Sequence, residues 1–400
     1  MPSLALTLAV LSLCIWIALT FFRGGFWLIR FFDEDSVAHS APPTWPRVVA
    51  VLPARNEAAT IARALESLAG QEYPGALHIV VVDDHSEDAT AELARGTAKA
   101  AGVSERVTVL PAPPLQPGWT GKLWALQQGI ACAAATAPDY IWFTDADIVH
   151  AADTLRRLVA RAESARLDLA SLMVLLQAKT LPEKLLIPPF LYFFLKLYPP
   201  KWIASATART AGAAGGCVLL RHSALARIGG IASIRHEVID DCALARAVKR
   251  SSGSLWMGVT RKSVSLRSYD TFTEIRDLIA RTAYTQLNYS ILLLLGAVAG
   301  MLLTYIVPPV LAFHTHPLVW RISLITWALM TATFLPTIRF YGLSPLWAPL
   351  LPLGATFYSY ATVLSAVRYW GGRGGQWKGR AQASERVASG SETERATDGK

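Results

Sequence analysis

Apolar runs that lead into polar residues and then into a helical pattern recur in the first half of the chain. Four such runs predict strands at 47–52, 77–82, 106–110 and 140–143. The runs at 47–52, 77–82 and 140–143 are mostly apolar, which is typical of strands buried on both faces, and 106–110 is a further short strand. Ala- and Leu-rich stretches predict helices that end near 68 or span 89–101 and 122–135. Strands that alternate with helices predict an α/β fold with a parallel sheet.

Acidic residues stand where the predicted strands end: Glu57, Asp83, Asp84, Asp145 and Asp147. The carboxyl ends of parallel strands meet at one edge of a sheet, where α/β proteins bind ligands. Asp145 and Asp147 are two residues apart, so an extended backbone would point both carboxylates to the same side. Two acids in a turn are often a solvated loop or a helix cap. The position of the whole set at strand ends favours a ligand site.

Four motifs follow one another along these elements. Residues 53–57 read P-A-R-N-E, 83–90 read D-D-H-S-E-D-A-T, 121–129 read G-K-L-W-A-L-Q-Q-G, and 145–147 read D-A-D. In these motifs the chain resembles the family-2 glycosyltransferases of the GT-A type, and the resemblance predicts a GT-A domain over residues 45–285. The Trp119–Lys122 loop, the long C-terminal hydrophobic region and W-K-G-R at 377–380 are most similar to the hopene-associated glycosyltransferases.

The resemblance implies a nucleotide-sugar donor and a divalent cation, Mg²⁺ or Mn²⁺. Asp147 would bind the metal, and Asp145 would be shared between the metal and the ribose. These ions take hard oxygen ligands, and Mg²⁺ often needs only one or two carboxylates beside water and substrate phosphate. Lys122 begins a predicted helix, where backbone N–H groups favour an anion, so it is expected to contact the diphosphate.

Three further acids receive roles from the same resemblance. Asp83 or Asp84 would accept hydrogen bonds from the nucleobase or the ribose, and Glu57 would lie on the same wall. Glu57 fits equally well as an acid at a helix N-terminus. Residues 240–244 are similar to the family's E-D-x-x-L segment, which makes Asp241 the expected catalytic base and puts Asp240 in place of the usual Glu. Direct attack by an activated hydroxyl would invert the anomeric centre.

The composition of the chain indicates that part of it lies in a membrane. The chain is 52% hydrophobic and only 17% charged, which is too apolar for an ordinary soluble protein. Residues 2–22 are uncharged and are followed by Arg23 and Arg30. A cleaved signal peptide carries its charge before the apolar stretch, so we expect residues 1–30 to be a retained anchor with its N-terminus outside. The domain that follows is then cytoplasmic, in a multi-pass protein of the cell inner membrane.

The C-terminal region, 286–367, contains three further apolar segments at 287–311, 318–338 and 345–367. The third is interrupted by Pro349, Pro352 and Gly354, so a kinked span and a re-entrant hairpin both fit. The tail, 368–400, is first basic and then of a composition typical of disorder. Its basic residues predict a cytoplasmic tail and hence the re-entrant hairpin, whereas a count of one plus three spans predicts the opposite side.

Segment 184–201 is rich in aromatic residues, is bounded by Lys184 and Lys201, and contains Pro188 and Pro189. This composition predicts a helix that lies in the membrane interface, and a helix buried in the protein core is the alternative. An interfacial helix would bring the domain to the membrane surface, where a lipid acceptor could enter. The formal net charge of +9 comes without nucleic-acid-binding motifs, so anionic lipid rather than nucleic acid is the expected partner.

These observations predict an inverting, metal-dependent enzyme that transfers one sugar to a membrane lipid. A processive polysaccharide synthase is one alternative, but residues 281–286 depart from the Q-x-x-R-W element of those enzymes. A catalytically silent scaffold that binds a sugar nucleotide is the other. Metal, phosphate and base positions together argue against the scaffold, because it would need none of them.

Overall fold

The computed structural model describes residues 2–29, 41–372, 376–377 and 380–381. Its centre is one eight-stranded sheet with the order β3-β2-β1-β4-β7-β6-β8-β5. In chain order the strands are β1 Val48–Ala54, β2 Leu77–Asp83, β3 Val107–Pro111, β4 Tyr140–Phe143, β5 Ile148–His150, β6 Leu169–Leu175, β7 Val218–Arg221 and β8 Leu255–Ser265. Residues 48–286, which carry this sheet, are called the sheet domain below.

The first half of the sheet is parallel, as the sequence predicts. Strand β1 pairs in parallel with β2 and β4, and β2 pairs in parallel with β3. All seven residues of β1 are buried, which explains why its sequence is continuously apolar. The helices between these strands are α2 Ile61–Ala69, α3 Thr90–Ala100 and α4 Gly121–Ala133, each within a few residues of the prediction.

The second half of the sheet is mixed and was not predicted. Strand β7 lies antiparallel to both β4 and β6, β8 is parallel to β6, and β5 is antiparallel to β8. Strand β4 therefore lies where the parallel half meets the mixed half. The helices of this half are α5 Thr154–Ser164, α8 His222–Arg227 and α9 Asp240–Arg250. The residues that follow β4 therefore lie near the middle of this edge of the sheet.

Helix α4 lies directly on the sheet because Gly129 has no side chain. A Cβ at this position would lie 2.3 Å from Cγ1 of Val51 on β1. The close contact packs α4 against β1 and β2, and the beginning of α4 lines the same cavity as the ends of β1 and β4. This is the end of the helix that carries Lys122.

Apolar helices flank the sheet domain on both sides in sequence. They are α1 Pro2–Phe22, α12 Ile291–Met301, α13 Val307–Leu311, α14 Pro317–Phe340 and α15 Leu351–Trp370, with a π-helical turn at Leu302–Ile306 and a 3-10 helix at Pro345–Leu350. By length and composition, four segments could cross a membrane: 4–22, 291–311, 317–340 and 345–370. Short helices α7 Pro200–Ala204, α10 Phe272–Ala280 and α11 Ala283–Gln286 also belong to the sheet domain, and α10 and α11 contact α15.

The predicted interfacial segment forms part of helix α6, Leu181–Leu197, which continues through both internal prolines. The hydroxyl of Tyr192 lies 2.9 Å from Oγ1 of Thr333 on α14. The hydroxyl of Tyr358 on α15 donates to the carbonyl of Leu186 at 2.9 Å. The buried side of α6 therefore packs against two of the candidate spans, and its position at a membrane surface stays a prediction.

Segment 345–370 begins next to the sheet domain. Arg261 of β8 donates to the carbonyl of Phe340, at the end of α14, at 2.8 Å. The 3-10 helix that follows runs back along α14, where Trp327 donates from its indole N–H to the carbonyl of Pro349 at 3.1 Å. Trp327 is thirteen residues before Phe340, which is about 20 Å along an α-helix.

The same segment also ends next to the sheet domain. Arg368 in the last turn of α15 lies 2.7 Å from Oδ1 of Asp277 on α10. Ser365 donates to the carbonyl of Ala280 at 2.5 Å. The end of α14 just before this segment and the last turns of α15 thus both contact the sheet domain, which fits the re-entrant path. The segment is also long enough to cross a membrane, so its path stays a prediction.

Strands β9 Gln376–Trp377 and β10 Arg380–Ala381 pair antiparallel just beyond α15. The remainder of the predicted tail, at 373–375, 378–379 and 382–400, lies outside the described residues, as do Arg30 and the segment 31–40.

Candidate active site

A cavity of about 420 Å³ opens at the edge of the sheet where β1 and β4 end. Five of the predicted residues line it: Glu57, Lys122, Asp145, Asp147 and Asp241. Other parts of the wall come from Pro53, Thr120, Asp240, Arg267, Tyr269 and Arg281. The cavity is therefore rich in both acidic and basic groups, as expected for a site that binds a charged ligand.

The Asp145–Asp147 turn follows β4 and has the predicted alternation. Asp145 and Asp147 are half-buried and line the cavity, whereas Ala146 between them is only 2% exposed and packs in the core. Thr144 anchors the start of the turn by donating to the carbonyl of Gly216 at 3.0 Å. Both carboxylates are thus presented to the same space.

Lys122 is the cation of the site. Its Nζ lies 3.0 Å from Oδ1 of Asp145 and 3.1 Å from Oδ2 of Asp240. Burial alone would lower the pKa of Lys122. The surrounding carboxylates, first Asp145 and then Asp240 and Asp241, outweigh that effect and raise this pKa above its ordinary value. The ammonium group therefore stays charged and joins the D-A-D turn to the beginning of α9.

Asp241 is held at the beginning of α9 by two backbone donors. Its Oδ2 accepts from the N–H of Gly215 at 2.8 Å, and its Oδ1 accepts from the N–H of Cys242 at 2.6 Å. Burial and the neighbouring Asp240 raise the pKa of Asp241 to about 6, while Lys122 works in the opposite direction. A carboxylate with this pKa is mostly ionised near neutral pH and still basic enough to take a proton.

The remaining predicted acids differ in their exposure to the cavity. Glu57 lines it, and its carboxylate also accepts from the hydroxyl of Thr60 at 3.1 Å near the start of α2. Its position is compatible with both readings of its role. Asp83 is half-buried and Asp84 is fully buried. Neither lines the cavity of about 420 Å³, so contact of either residue with a nucleotide stays a prediction.

Other residues of these motifs join neighbouring loops instead of lining the cavity. The N–H of Asn56 donates to the hydroxyl of Ser86 at 3.0 Å, and the N–H of Glu87 donates back to the side-chain carbonyl of Asn56 at 2.8 Å. The carboxylate of Asp88 accepts from the backbone and the hydroxyl of Thr90. These bonds hold the loops after β1 and β2 in register at the edge of the site.

Some residues of the site have no role that the sequence assigned. Gly215, which donates to Asp241, lies in the small-residue run G-A-A-G-G at 212–216, a pattern that indicates close approach of the backbone or a tight turn. Arg267 and Tyr269 follow β8, a strand that was not predicted. The N–H of Tyr269 donates to the buried carboxylate of Glu183 at 2.8 Å, which joins this wall to the start of α6.

The acidic turn fits a divalent cation only with help from a ligand. Within the described ranges, no three His, Cys, Asp or Glu side chains form a complete metal cage. Two carboxylates that share one cavity with a lysine match the sparse protein coordination that Mg²⁺ accepts when phosphate and water supply the other oxygens. The residues present therefore fit a metal that arrives with a phosphorylated substrate.

A second cavity, of about 450 Å³, adjoins the first and is called the apolar cavity below. It shares Lys122, Asp145, Asp240 and Asp241 with the first cavity. From there it extends between α6, α12 and α15, two of which belong to candidate spans. The charged cluster thus lies at the junction of a polar and an apolar space.

Residues 49–229 match the family model described as "Glycosyl transferase family 2". An N-acetylglucosaminyltransferase of Rhizobium leguminosarum bv. phaseoli is 31% identical over 175 residues, which is 44% of this chain and 36% of that protein. The chain therefore spans about a third of the length of this curated relative. The mannosyltransferase PcManGT from Pyrobaculum calidifontis, solved with GDP-Man and Mn²⁺, is similar in structure with a TM-score of 0.57. It is 16% identical, and the match covers 91% of this chain and 99% of that chain.

These comparisons support a family-2 glycosyltransferase domain over the matched residues. The domain has the GT-A, Rossmann-like α/β architecture that the resemblance predicted. Apolar helices that could span a membrane lie on both sides of it in sequence. At 16% identity, the likeness to the mannosyltransferase is one of fold.

Proposed function

We propose that this protein is an inverting, metal-dependent glycosyltransferase that moves a single sugar from a nucleotide-sugar donor to a membrane lipid. The observation that carries this proposal is the position of Lys122, Asp145, Asp147 and Asp241 around one cavity that continues between apolar helices. The protein would be a multi-pass protein of the inner membrane, with the sheet domain in the cytoplasm, where nucleotide sugars are made.

The donor's diphosphate would bind beside Lys122 and the D-A-D turn. A bound Mg²⁺ or Mn²⁺ would supply positive charge to the departing diphosphate. Asp145 and Asp147 would hold that ion, and Lys122 would contribute a second positive charge. Asp83 or Asp84, together with Glu57, would contact the nucleoside from the neighbouring loops. The sugar nucleotide and Mn²⁺ bound to the similar mannosyltransferase support this assignment.

Asp241 would act on the acceptor side. Its raised pKa suits a general base, because such a group must be ionised yet able to accept a proton from a hydroxyl. The N–H groups of Gly215 and Cys242 hold its carboxylate in one orientation. Proton removal by Asp241 would let the acceptor oxygen displace the nucleoside diphosphate in one step, and a single displacement inverts the anomeric carbon.

The acceptor is proposed to be a lipid because the charged cluster is continuous with the apolar cavity. The likeness to hopene-associated glycosyltransferases favours a polycyclic lipid of the hopanoid type.

Membranes that contain the protein would be incubated with a panel of radiolabelled nucleotide sugars, followed by analysis of the lipid extract. We expect one sugar per lipid, dependent on a divalent cation. Label in a long polymer would favour a processive synthase instead.

A further inference from the structure

We propose that the apolar cavity between α6, α12 and α15 is the binding site for the uncharged, apolar body of the acceptor lipid. The lipid would enter from the side, between two membrane-associated helices, and present its hydroxyl to Asp241. This inference rests on the proposed function and assigns a place within the molecule to the acceptor.

The first argument is continuity with the charged cluster. Asp240 and Asp241 contribute to both cavities, so a ligand in the apolar cavity reaches the proposed base without crossing a wall of protein. The donor side of the cluster, including Asp147 and Glu57, lines only the first cavity. The two cavities thus offer separate places for two substrates that must meet at Asp241.

The second argument is the chemistry of the walls. Helix α6 contributes Phe193, Phe194 and Leu197, α12 contributes Ala297, Val298 and Met301, and α15 contributes Tyr358, Ser359 and Thr362. The three hydroxyls among these already donate to backbone carbonyls: Tyr358 to Leu186 at 2.9 Å, Ser359 to Ala355 at 2.8 Å and Thr362 to Tyr358 at 2.7 Å. These three helix faces therefore need no polar partner from a ligand, which fits hydrocarbon. Polar lining residues, Arg281, Thr282 and Gln286, lie between α10 and α12.

Lys196 is the amine on this wall, and its environment favours an uncharged ligand. Its Nζ donates to the hydroxyl of Tyr305 at 2.8 Å and lies 5.0 Å from the ring centroid of Phe193. Burial, together with the nearby Arg23, lowers the pKa of Lys196 to about 7. A lysine that is neutral for much of the time at neutral pH offers little attraction to an anionic headgroup.

The size of the cavity is also suitable. A volume of about 450 Å³ lies within the range of about 300–1,000 Å³ that is usual for small-molecule sites. Ala297 is half-buried on the wall, while Ala299 on the same helix is exposed and does not line the cavity. The two alanines therefore provide a matched test.

The experiment uses photo-crosslinking with a long-chain alcohol that carries a diazirine in mid-chain. The full-length protein in detergent would be labelled and digested, and the crosslinked peptides identified by mass spectrometry. Ala297→Phe should fill the cavity and reduce labelling of the α6, α12 and α15 wall by about tenfold. Ala299→Phe adds the same ring outside the cavity and should leave the labelling unchanged. Ser359→Phe, on the opposite wall, provides a second filling variant, and nucleotide-sugar binding checks that each variant is folded.

Labelling of these walls that is lost in Ala297→Phe or Ser359→Phe, but not in Ala299→Phe, would support the proposal. Labelling confined to the exposed side of α12 and equal in all variants would overturn it. Stronger labelling by the phosphate ester of the same alcohol would overturn the assignment of an uncharged ligand. Because crosslinking needs no sugar transfer, a protein that binds the alcohol in the cavity but transfers no sugar would contradict the proposed function alone.

Discussion

Asp241→Asn tests the proposed base because it keeps the shape of the side chain and removes its basicity. Asn can still accept a hydrogen bond from Gly215 or from Cys242, so the beginning of α9 should stay in place. Burial and Asp240 raise the pKa of this carboxyl in the folded protein to about 6, above its usual 3.8. The folded state therefore binds this proton more tightly than the unfolded chain does, and stability from this group decreases as pH rises through about 4 to 6. Near neutral pH the variant no longer has to ionise a buried carboxyl, but it can lose one hydrogen bond worth about 1 kcal/mol. We therefore expect its free energy of unfolding to lie no more than about 1 kcal/mol below that of the wild type.

The expected loss of rate follows from the role of a base. With a pKa of about 6, the Asp241 carboxylate is about nine-tenths ionised at pH 7 and about one-tenth ionised at pH 5. Wild-type kcat/KM should therefore fall about tenfold for each pH unit well below 6. Removing the base typically costs about 10²–10⁴ in rate. The remaining activity should also lose the acidic limb of the pH profile, which is the fall in kcat/KM below about pH 6.

The assay measures transfer of labelled sugar to lipid between about pH 5 and pH 8, with donor affinity measured separately. Asp240→Asn is the matched control. Asp240 raises the pKa of Asp241, so its loss should move the acidic limb to lower pH while measurable transfer remains. Near-normal turnover in Asp241→Asn, or a collapse of donor affinity together with the rate, would refute the assignment of Asp241 as the base.

Four further predictions concern the metal ligand, the buried lysine, the packing of α4 with its matched control, and the C-terminus. Asp147→Ala should abolish transfer in a folded protein because the metal loses a carboxylate, and normal turnover in the variant or in EDTA would contradict this. Lys122→Met should weaken donor binding in a titration and move the acidic limb to higher pH, because Lys122 lowers the pKa of Asp241. Gly129→Ala should lower the free energy of unfolding by about 1–3 kcal/mol, since its Cβ would lie 2.3 Å from a side chain of β1. Gly96→Ala, in helix α3 with nothing within 4 Å, should instead raise it by up to about 1 kcal/mol in the same melts. A C-terminal reporter that is active only outside the cytoplasm should stay silent, and a strong signal would refute the re-entrant path of 345–370.

The parallel half of the sheet was predictable because its signal is local. Strands β1 and β4 are continuous apolar runs, β2 is mostly apolar, and β3 is a short run of strand-forming residues, with helices of clear pattern between them. The facing carboxylates of Asp145 and Asp147 follow from the period of an extended chain. The mixed half depends on pairing between segments far apart in sequence, such as β4 with β7, and no local pattern reports that pairing.

Two features of the site show where sequence reasoning ended. The sequence placed Asp83 and Asp84 at the end of a strand, but it did not say which of the two would be the more buried. Segment 184–201 has a composition that suits either a membrane surface or a core, and only its packing against α14 and α15 shows which neighbours cover it. The apolar cavity depends on the same packing and therefore had no signal in the sequence.

The central claim is tested most directly by sugar transfer to lipid in membranes that contain wild-type protein or Asp241→Asn. With a panel of labelled nucleotide sugars and a divalent cation, the wild type should give one labelled lipid that carries a single sugar. That product should be absent with EDTA and reduced by about 10²–10⁴ with Asp241→Asn. No labelled lipid from any donor, or the same yield from the wild type and the variant, would contradict the account.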